Sequence, residues 1–182
     1  MRSSPFRSVL AISALVIGIG TPVVAQADKQ WNRSEDKQNV SVVYLVRHAE
    51  KGDTGKDPLL TDLGKERAEE LSRMLKDAGV THIWSTDYKR TRATVEPLSA
   101  RTRVKIEIYD PTKLAEFATR LKSIPGRHLV VGHSNTTPGL VQALGGDPGP
   151  PMPDTEYDRF YIVTLGSNIA TIQLRFGASD AR

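Results

Sequence analysis

The sequence of 182 residues contains no cysteine. Disulfide bonds and metal sites built on thiolates are therefore excluded. Internal repeats, a second zone of composition and a linker between domains are also missing, which favours a single domain. The net charge of +4 includes Arg2 and Arg7, which lie in a segment that we expect to be removed, so the chain lacks the basic excess of nucleic-acid-binding proteins. We predict no nucleic acid among its partners.

The N-terminal segment has the features of a secretory signal peptide. Arg2 and Arg7 precede an uncharged apolar segment at residues 9–20, and a small-x-small sequence ends at Ala27. The apolar segment is shorter than the ~20 residues that span a bilayer, which disfavours a retained membrane anchor. We predict a signal peptide over residues 1–27, no stable membrane insertion after its cleavage, and an exported protein that is periplasmic or secreted.

Residues 28–39 are polar and show no apolar period, so we predict a flexible leader there and one domain over residues 40–182. In that domain, apolar runs alternate with segments of helical period. Residues 42–46 and 129–131 are apolar without polar alternation, as expected of central parallel strands covered by helices on both faces. This alternation predicts an α/β fold, a three-layer α/β/α sandwich with a mostly parallel sheet and a C-terminal hairpin.

Strands are predicted over residues 42–46, 80–85, 104–109, 128–132, 160–165 and 169–176, and helices over residues 61–78, 87–100, 112–123 and 134–144. The first helix should begin at an N-cap, Thr61, and bury a face that includes Leu63 and Met74. The second helix should end near Pro97, because proline interrupts the hydrogen bonding inside a helix.

Two of the apolar strands end on a histidine. His48 follows the first strand, and His133 follows the strand that ends at Gly132. Because the carboxyl ends of parallel strands lie at the same edge of a sheet, we expect the two rings to meet there. Arg47 and Arg90 reach the same edge, and arginine binds phosphate oxygens bidentately. Together with the amides at the start of the helix after His133, these residues predict an anion site.

These residues resemble the histidine phosphatase superfamily, which has the phosphoglycerate mutase-like fold. Residues 47–50 are similar to its arginine-histidine-glycine signature, with Ala49 in place of the usual glycine. Residues 60–68, 85–94 and 132–134 resemble its later characteristic segments, in the same order. Four motifs in the right order are specific where each alone is not.

The resemblance implies a role for each matching residue. His48 would be the nucleophile that becomes phosphorylated. The groups that would bind the phosphoryl group are Arg47, Arg90, His133 and Ser134, with Thr94 as a further candidate. A histidine among arginines is kept neutral, and a neutral imidazole has the lone pair that attacks phosphorus. Because dense positive charge also stabilises the transferring group, we expect no metal ion and no cofactor.

A general acid should protonate the leaving alcohol, and two carboxylates are candidates. Asp110 follows the strand at residues 104–109, at the sheet edge that carries the histidines, and its structural alternative is a helix cap. Glu50 is the second candidate, and its alternative is an ion pair with Arg47 or Lys51. A positioned acid contributes roughly 10²–10⁴-fold.

We predict a phosphomonoester hydrolase that forms a covalent phosphohistidine and acts on a small, extracytoplasmic phosphorylated substrate. The loops at residues 51–58 and 145–158 should select this substrate. Alternatives are a phosphomutase, a non-catalytic phosphate-binding module, and a metal hydrolase that uses His48, His133, Glu50 and Asp110. The metal hydrolase is disfavoured because the sequence has no His-x-His or His-x-x-x-His ligand pair.

Overall fold

The structure, a computed structural model, describes residues 40–178. The predicted signal peptide at residues 1–27 and the predicted leader at residues 28–39 lie outside the described residues, so both stay predictions. None of the helices within residues 40–178 is long and apolar enough to cross a lipid bilayer.

Strands and helices alternate along the described chain. They are β1 (Ser41–Arg47), α1 (Asp62–Leu75), β2 (His82–Ser85), α2 (Lys89–Thr102), β3 (Ile106–Ile108), α3 (Leu114–Ser123), β4 (Arg127–Gly132), α4 (Thr136–Leu144), β5 (Arg159–Leu165) and β6 (Ala170–Arg175). The strands form a sheet in the order β3-β2-β4-β1-β5-β6. The first four in this order are parallel, and β5 and β6 pair antiparallel. The mostly parallel sheet and the C-terminal hairpin are therefore confirmed.

Helices cover both faces of this sheet. Trp84 of β2 belongs to an apolar cluster that includes Phe117 of α3 and residues of α4. Its neighbour Ile83 belongs to the cluster on the other face, which includes Leu71 of α1 and residues of α2. Successive residues of β2 thus point into opposite cores, which explains why its sequence has no polar alternation. The three predicted layers are confirmed.

Helix α1 begins at the predicted N-cap, where the hydroxyl of Thr61 accepts a hydrogen bond from the amide of Gly64 at 3.1 Å. Most of the predicted face is buried, but Leu63 and Met74 lie outside the buried part. Gly64 is buried, and a Cβ there would lie 2.2 Å from the carbonyl oxygen of Glu50. Because the helix packs this closely on the chain after β1, Leu63 and Met74 are 46% and 40% exposed, and their predicted burial is wrong.

Helix α2 continues through Pro97 to Thr102, so its predicted end near Pro97 is wrong. A proline inside a helix removes one main-chain hydrogen bond. Val95 and Leu98, on either side of it, are buried in the core beneath the sheet. This packing outweighs the local preference of proline.

Candidate active site

A cavity of about 360 Å³ lies at the carboxyl ends of β1 and β4. The register of these strands places Arg47 opposite Gly132, and the amide of His48 donates to the carbonyl of Gly132 at 3.0 Å. The rings of His48 and His133 meet edge to face, with centroids 5.5 Å apart. The cavity is lined by Arg47, His48, Lys51, Arg90, His133, Ser134, Asn135, Asp154 and Tyr157. The structure thus brings together the nucleophile and the phosphoryl-binding residues named from the sequence, apart from Thr94.

His48 is 2% exposed, and the main chain fixes its tautomer. Its Nδ1 lies 2.8 Å from the carbonyl oxygen of Ala49. A carbonyl only accepts, so the ring proton is on Nδ1 and the lone pair is on Nε2. Burial, and to a smaller extent Arg47 and Arg90, lower the pKa of His48 to about 3, although the hydrogen bond to Ala49 acts in the opposite direction. The ring is therefore neutral at about pH 7, as a nucleophile must be.

His133 is neutral as well. Burial, and then the charges of Arg90 and Arg47, lower its pKa to about 4. Its Nε2 lies 3.0 Å from Oγ1 of Thr86, and its Nδ1 lies 3.5 Å from Nη2 of Arg90. The main-chain amide of His133 donates to Oγ1 of Thr136 at 2.9 Å. This amide is therefore engaged within the protein.

Arg90 has an unsatisfied donor. Its Nε is buried and has no hydrogen-bond partner among the described residues. Its Nη1 lies 3.4 Å from Oδ1 of Asp57, and its guanidinium carbon lies 4.3 Å from the centre of the Tyr88 ring. A buried donor without a partner costs about 1–3 kcal/mol.

Arg47 is 4% exposed and is covered by the loop at residues 145–158. Its Nη1 donates to the carbonyl oxygens of Pro153, Asp154 and Glu156 at 3.1, 2.9 and 2.9 Å. Arg47 therefore both lines the cavity and fastens the loop across it. Its charge is held beside His48 by these contacts.

The same loop is anchored from below by a second buried arginine. Arg159 is 2% exposed, donates to the carbonyl oxygen of Pro150 at 2.7 Å, and forms an ion pair with Glu156. A loop with this many buried hydrogen bonds has a defined conformation. It presents the side chains of Asp154 and Tyr157 to the cavity.

Asp154 and Tyr157 belong to the loop at residues 145–158 that the sequence indicated, but neither residue was singled out. Asp154 accepts a hydrogen bond from Oγ of Ser134 at 2.8 Å. The ring of Tyr157 lies 5.9 Å from that of His48 and 4.2 Å from the guanidinium carbon of Arg47. The apolar residues of their segment are spaced neither as in a helix nor as in a strand. Its functional role was therefore indicated only by its position between α4 and β5, next to the sheet edge.

Asp110 lies away from the cavity of His48. It lines another cavity, beside Ile108 and Lys113. Its carboxylate accepts hydrogen bonds from the hydroxyl and the amide of Thr112 at 2.7 and 2.9 Å, and these two bonds lower its pKa. They form a turn just before α3. This role is close to the helix cap that the sequence analysis gave as the structural alternative for Asp110. The structure does not bring Asp110 to the reacting groups.

Glu50 is engaged in an ion pair that the sequence pattern did not indicate. Arg67 of α1 is 3% exposed, and its Nη2 lies 2.6 Å from Oε1 of Glu50. Its Nε lies 2.9 and 3.0 Å from the two carboxylate oxygens. The pair ties α1 to the chain after β1. Glu50 is therefore a structural group in this state of the protein.

Thr94 lies beneath the cavity. It is 2% exposed, its Oγ1 accepts from the amide of Ala49 at 3.0 Å, and it donates to the carbonyl of Arg90 at 2.8 Å. It holds the end of β1 against α2. Arg92, two residues after Arg90, is on the surface and pairs with Asp87.

The ligand set of the metal-hydrolase alternative does not assemble. His48 and His133 share the cavity, but Glu50 is paired with Arg67 and Asp110 lies elsewhere. Among residues 40–178, no group of three or more histidine, aspartate or glutamate side chains is placed to hold a metal ion.

Comparisons with known sequences agree on one family. The sequence model of the histidine phosphatase superfamily (branch 1) matches residues 43–119, which include His48 and Arg90. The relative named "Probable phosphoglycerate mutase GpmB" in Proteus mirabilis is 37% identical over 78 residues, which cover 38% of this chain and 35% of the relative. Its namesake in Shigella dysenteriae is 44% identical over 61 residues, 30% of this chain and 28% of the relative. The chain thus matches about a third of the length of these relatives.

Solved structures share the fold over nearly their whole length. The protein histidine phosphatase SixA complexed with tungstate has a TM-score of 0.63 at 19% identity, covering 74% of this chain and 96% of that chain. A mycobacterial glucosyl-3-phosphoglycerate phosphatase has a TM-score of 0.56 at 14% identity, covering 77% and 100%. At these identities the likeness concerns the fold. The match of residues 43–119 to the family model, with the motif residues gathered in one cavity, supports a relationship to the histidine phosphatase superfamily.

Proposed function

We propose that this protein is a phosphomonoester hydrolase that forms a covalent phosphohistidine on His48 and needs no metal ion. The observation that carries the proposal is the neutral ring of His48, with its lone pair on Nε2, in one cavity with Arg47 and Arg90. A nucleophile beside fixed positive charge is what phosphoryl transfer requires of a protein.

The proposed reaction has two steps. Nε2 of His48 attacks phosphorus, the bond from phosphorus to the ester oxygen breaks, and the alcohol leaves with a proton from an acid. The hydrogen bond from Nδ1 to the carbonyl of Ala49 stabilises the charge that the ring acquires. Water then attacks phosphorus, the N–P bond breaks, and phosphate leaves while the ring returns to its neutral form. Arg90, which lines the cavity, donates from its guanidinium group to a phosphoryl oxygen in both steps.

Hydrolysis is favoured over mutase activity by the cavity itself. A mutase must retain the departing molecule while the enzyme carries the phosphoryl group. Apart from strand ends, helix starts and the residues beside them, the cavity lining comes from Lys51, Asp154 and Tyr157. These three side chains give little enclosure to a departing molecule.

The proposed substrate is a small phosphorylated molecule outside the cytoplasm. The location rests on the signal-peptide features of residues 1–27. Sugar phosphates and phosphorylated lipopolysaccharide core are substrates that such a compartment offers. Lys51, Asp154 and Tyr157 border the cavity with an ammonium, a carboxylate and a phenol, and they are the side chains that we expect to select among such esters.

The purified protein is expected to hydrolyse an aryl phosphate in the presence of excess EDTA. The reason is that Arg47 and Arg90 supply positive charge that a metal ion would otherwise contribute. Vanadate should inhibit the reaction, because it mimics five-coordinate phosphorus. Quenching during turnover should trap phosphate on the peptide that contains His48, in a linkage that acid cleaves.

Three outcomes would contradict this proposal. Loss of activity in EDTA that a divalent ion restores would favour a metal hydrolase. Phosphate binding without any hydrolysis would favour the non-catalytic module. Transfer of the phosphoryl group to a second position of the same substrate, without release of phosphate, would favour the mutase.

Asp154 is expected to matter most for a poor leaving group. Its carboxylate lines the cavity and is held by Ser134. If it protonates the leaving alcohol, Asp154→Asn should lower kcat on an alkyl phosphate by roughly 10²–10⁴-fold. The loss on an aryl phosphate should be far smaller, because a phenolate leaves unaided. Steady-state assays on the two substrates measure this difference.

Asp110→Asn is the matched control, because Asp110 lines a different cavity. It should leave both rates near those of the wild type. Equal losses on both substrates in Asp154→Asn would assign Asp154 to binding. A selective loss on the alkyl phosphate in Asp110→Asn would restore the acid predicted from the sequence.

A further inference from the structure

The ring of His133 is connected to two buried threonines. Its Nε2 lies 3.0 Å from Oγ1 of Thr86, which in turn lies 3.0 Å from Oγ1 of Thr91. Oγ1 of Thr91 lies 2.9 Å from the main-chain carbonyl oxygens of both Thr86 and Tyr88. Both threonine residues are 0% exposed, so water does not compete for these hydrogen bonds.

The direction of each hydrogen bond follows from its neighbours. A carbonyl oxygen only accepts, so the hydroxyl of Thr91 donates to one. The oxygen of Thr91 is then the acceptor for the hydroxyl of Thr86, and the oxygen of Thr86 is the acceptor for an N–H at Nε2 of His133. On the other side of the ring, Arg90 only donates, so Nδ1 accepts. Both sides favour the neutral tautomer with its proton on Nε2.

The two facing histidines therefore have opposite tautomers. His48 carries its proton on Nδ1 and has its lone pair on Nε2, which suits an attack on phosphorus. His133 has its lone pair on Nδ1, on the side of the ring next to Arg90. A phosphoryl oxygen only accepts hydrogen bonds, so a lone pair at Nδ1 of His133 opposes its binding.

We propose that Thr86 and Thr91 are positioning residues that keep a proton on Nε2 of His133, so that the ring takes up a second proton, on Nδ1, when a phosphoryl group binds. This inference rests on the proposed function, because it takes the cavity to be a phosphoryl site. The second proton comes from solvent and returns to it when phosphate leaves. It converts His133 from an acceptor into a charged donor, and the negative charge of the phosphoryl group stabilises the imidazolium.

The other groups around the cavity do not account for this proton. Arginine and lysine side chains are already cations, and His48 must keep its lone pair. Asp154 is the remaining group that can take up a proton, and Asp154→Asn separates its contribution. The charged and titratable groups around the ring of His133 are Arg47, His48, Lys51, Tyr88, Arg90, Asp154 and Tyr157.

Titration calorimetry with sodium tungstate tests the inference, since tungstate stays a dianion near neutral pH. Measurements in buffers of different ionisation enthalpy give the number of protons taken up. For the wild type we expect about one proton per tungstate at neutral pH, and an affinity that falls about tenfold for each unit of rising pH. Uptake should persist in Asp154→Asn.

Substitutions of the threonines should change proton uptake. Thr86→Val removes the acceptor for Nε2–H, so the ring can place its single proton on Nδ1 and bind tungstate without uptake. We expect uptake to fall below about half a proton and the pH dependence to flatten. Thr91→Val should act in the same direction, because it frees the hydroxyl of Thr86 to donate to Nε2. Thr86→Ser keeps the hydroxyl and should restore wild-type uptake.

Long-range ¹H–¹⁵N spectra of the histidine side chains report the tautomers directly, and the chain has 4 histidines to assign. The free protein should show His133 protonated on Nε2 and His48 protonated on Nδ1. Tungstate should convert His133 to the imidazolium and leave His48 neutral. Thr102→Val is a control on α2, because the Thr102 hydroxyl donates to the carbonyl of Leu98, away from the cavity; it should behave like the wild type.

Several results overturn the inference while leaving the hydrolase proposal intact. They are tungstate binding without proton uptake, a free His133 protonated on Nδ1, and unchanged uptake in Thr86→Val, each in a protein that hydrolyses phosphomonoesters. A wild type that neither binds tungstate nor hydrolyses an aryl phosphate would overturn the proposed function, and this inference with it.

Discussion

Replacing His48 by alanine is expected to lower kcat/KM for an aryl phosphate by at least about 10³-fold, because the substitution removes the atom that attacks phosphorus. Water does not replace it, since the phosphoryl-binding groups hold the substrate for attack by a fixed ring. The same variant should give no phosphorylated protein after quenching. Steady-state assays and phosphate analysis of quenched samples measure both effects.

His82→Ala is the matched control for this substitution. His82 lies on β2, where its ring stacks on His128 at 4.7 Å, and it does not line the cavity. It should keep activity within about threefold of the wild type, as expected for a change outside the site. His133→Ala should lose activity but still form the phosphoenzyme. If His48→Ala kept near wild-type activity, or His133→Ala alone lost the phosphoenzyme, the assignment of the nucleophile would be wrong.

The strand ends that carry the reacting groups could be predicted because buried strands have a recognisable apolar sequence. A strand with helices on both faces has no polar alternation, so β1 and β4 stand out as apolar runs. Each run is followed within two residues by a histidine. The parallel register, with Arg47 opposite Gly132, then places His48 beside His133. That step needed only the rule that parallel strands share an edge.

The rest of the site depends on contacts between segments that are distant along the chain. Asp154 and Tyr157 reach the cavity because Arg47 and Arg159 bind carbonyl groups of their loop. No period in the sequence encodes such side-chain bonds to the main chain. For Asp110, local contacts decide. The sequence predicted it at the sheet edge near the histidines, but its hydrogen bonds to its neighbour Thr112 keep it in a turn.

Lowering the pH from about 7 to about 5 is expected to lower the free energy of unfolding by at least about 2 kcal/mol. Burial is the main cause that lowers the pKa of His48 to about 3, of His133 to about 4, and of His128 below its ordinary value. In the unfolded chain these side chains take up protons around pH 6.5. Below that pH the unfolded state binds more protons than the folded state, so stability falls as the pH falls.

His128, which lies away from the cavity, shows why protonation of a buried histidine destabilises the folded protein. Its Nδ1 accepts a hydrogen bond from Nε1 of Trp84 at 3.1 Å, and its Nε2 lies 3.0 Å from the carbonyl oxygen of Ile124. The neutral ring satisfies both contacts, whereas a proton added at Nδ1 would face the N–H of Trp84. Protonation of the folded protein therefore costs a buried hydrogen bond as well as desolvation.

Urea unfolding at several values between about pH 5 and pH 7 measures this dependence. Histidines dominate this window, because carboxyl groups in the unfolded chain take up protons at about pH 3.9–4.3, below it. His48→Gln removes one of the titrating rings and should make the slope shallower by roughly 1 kcal/mol per pH unit. A wild-type stability that stays constant across the window would mean that the rings titrate normally in the folded protein, and burial would not keep His48 neutral below about pH 6.5.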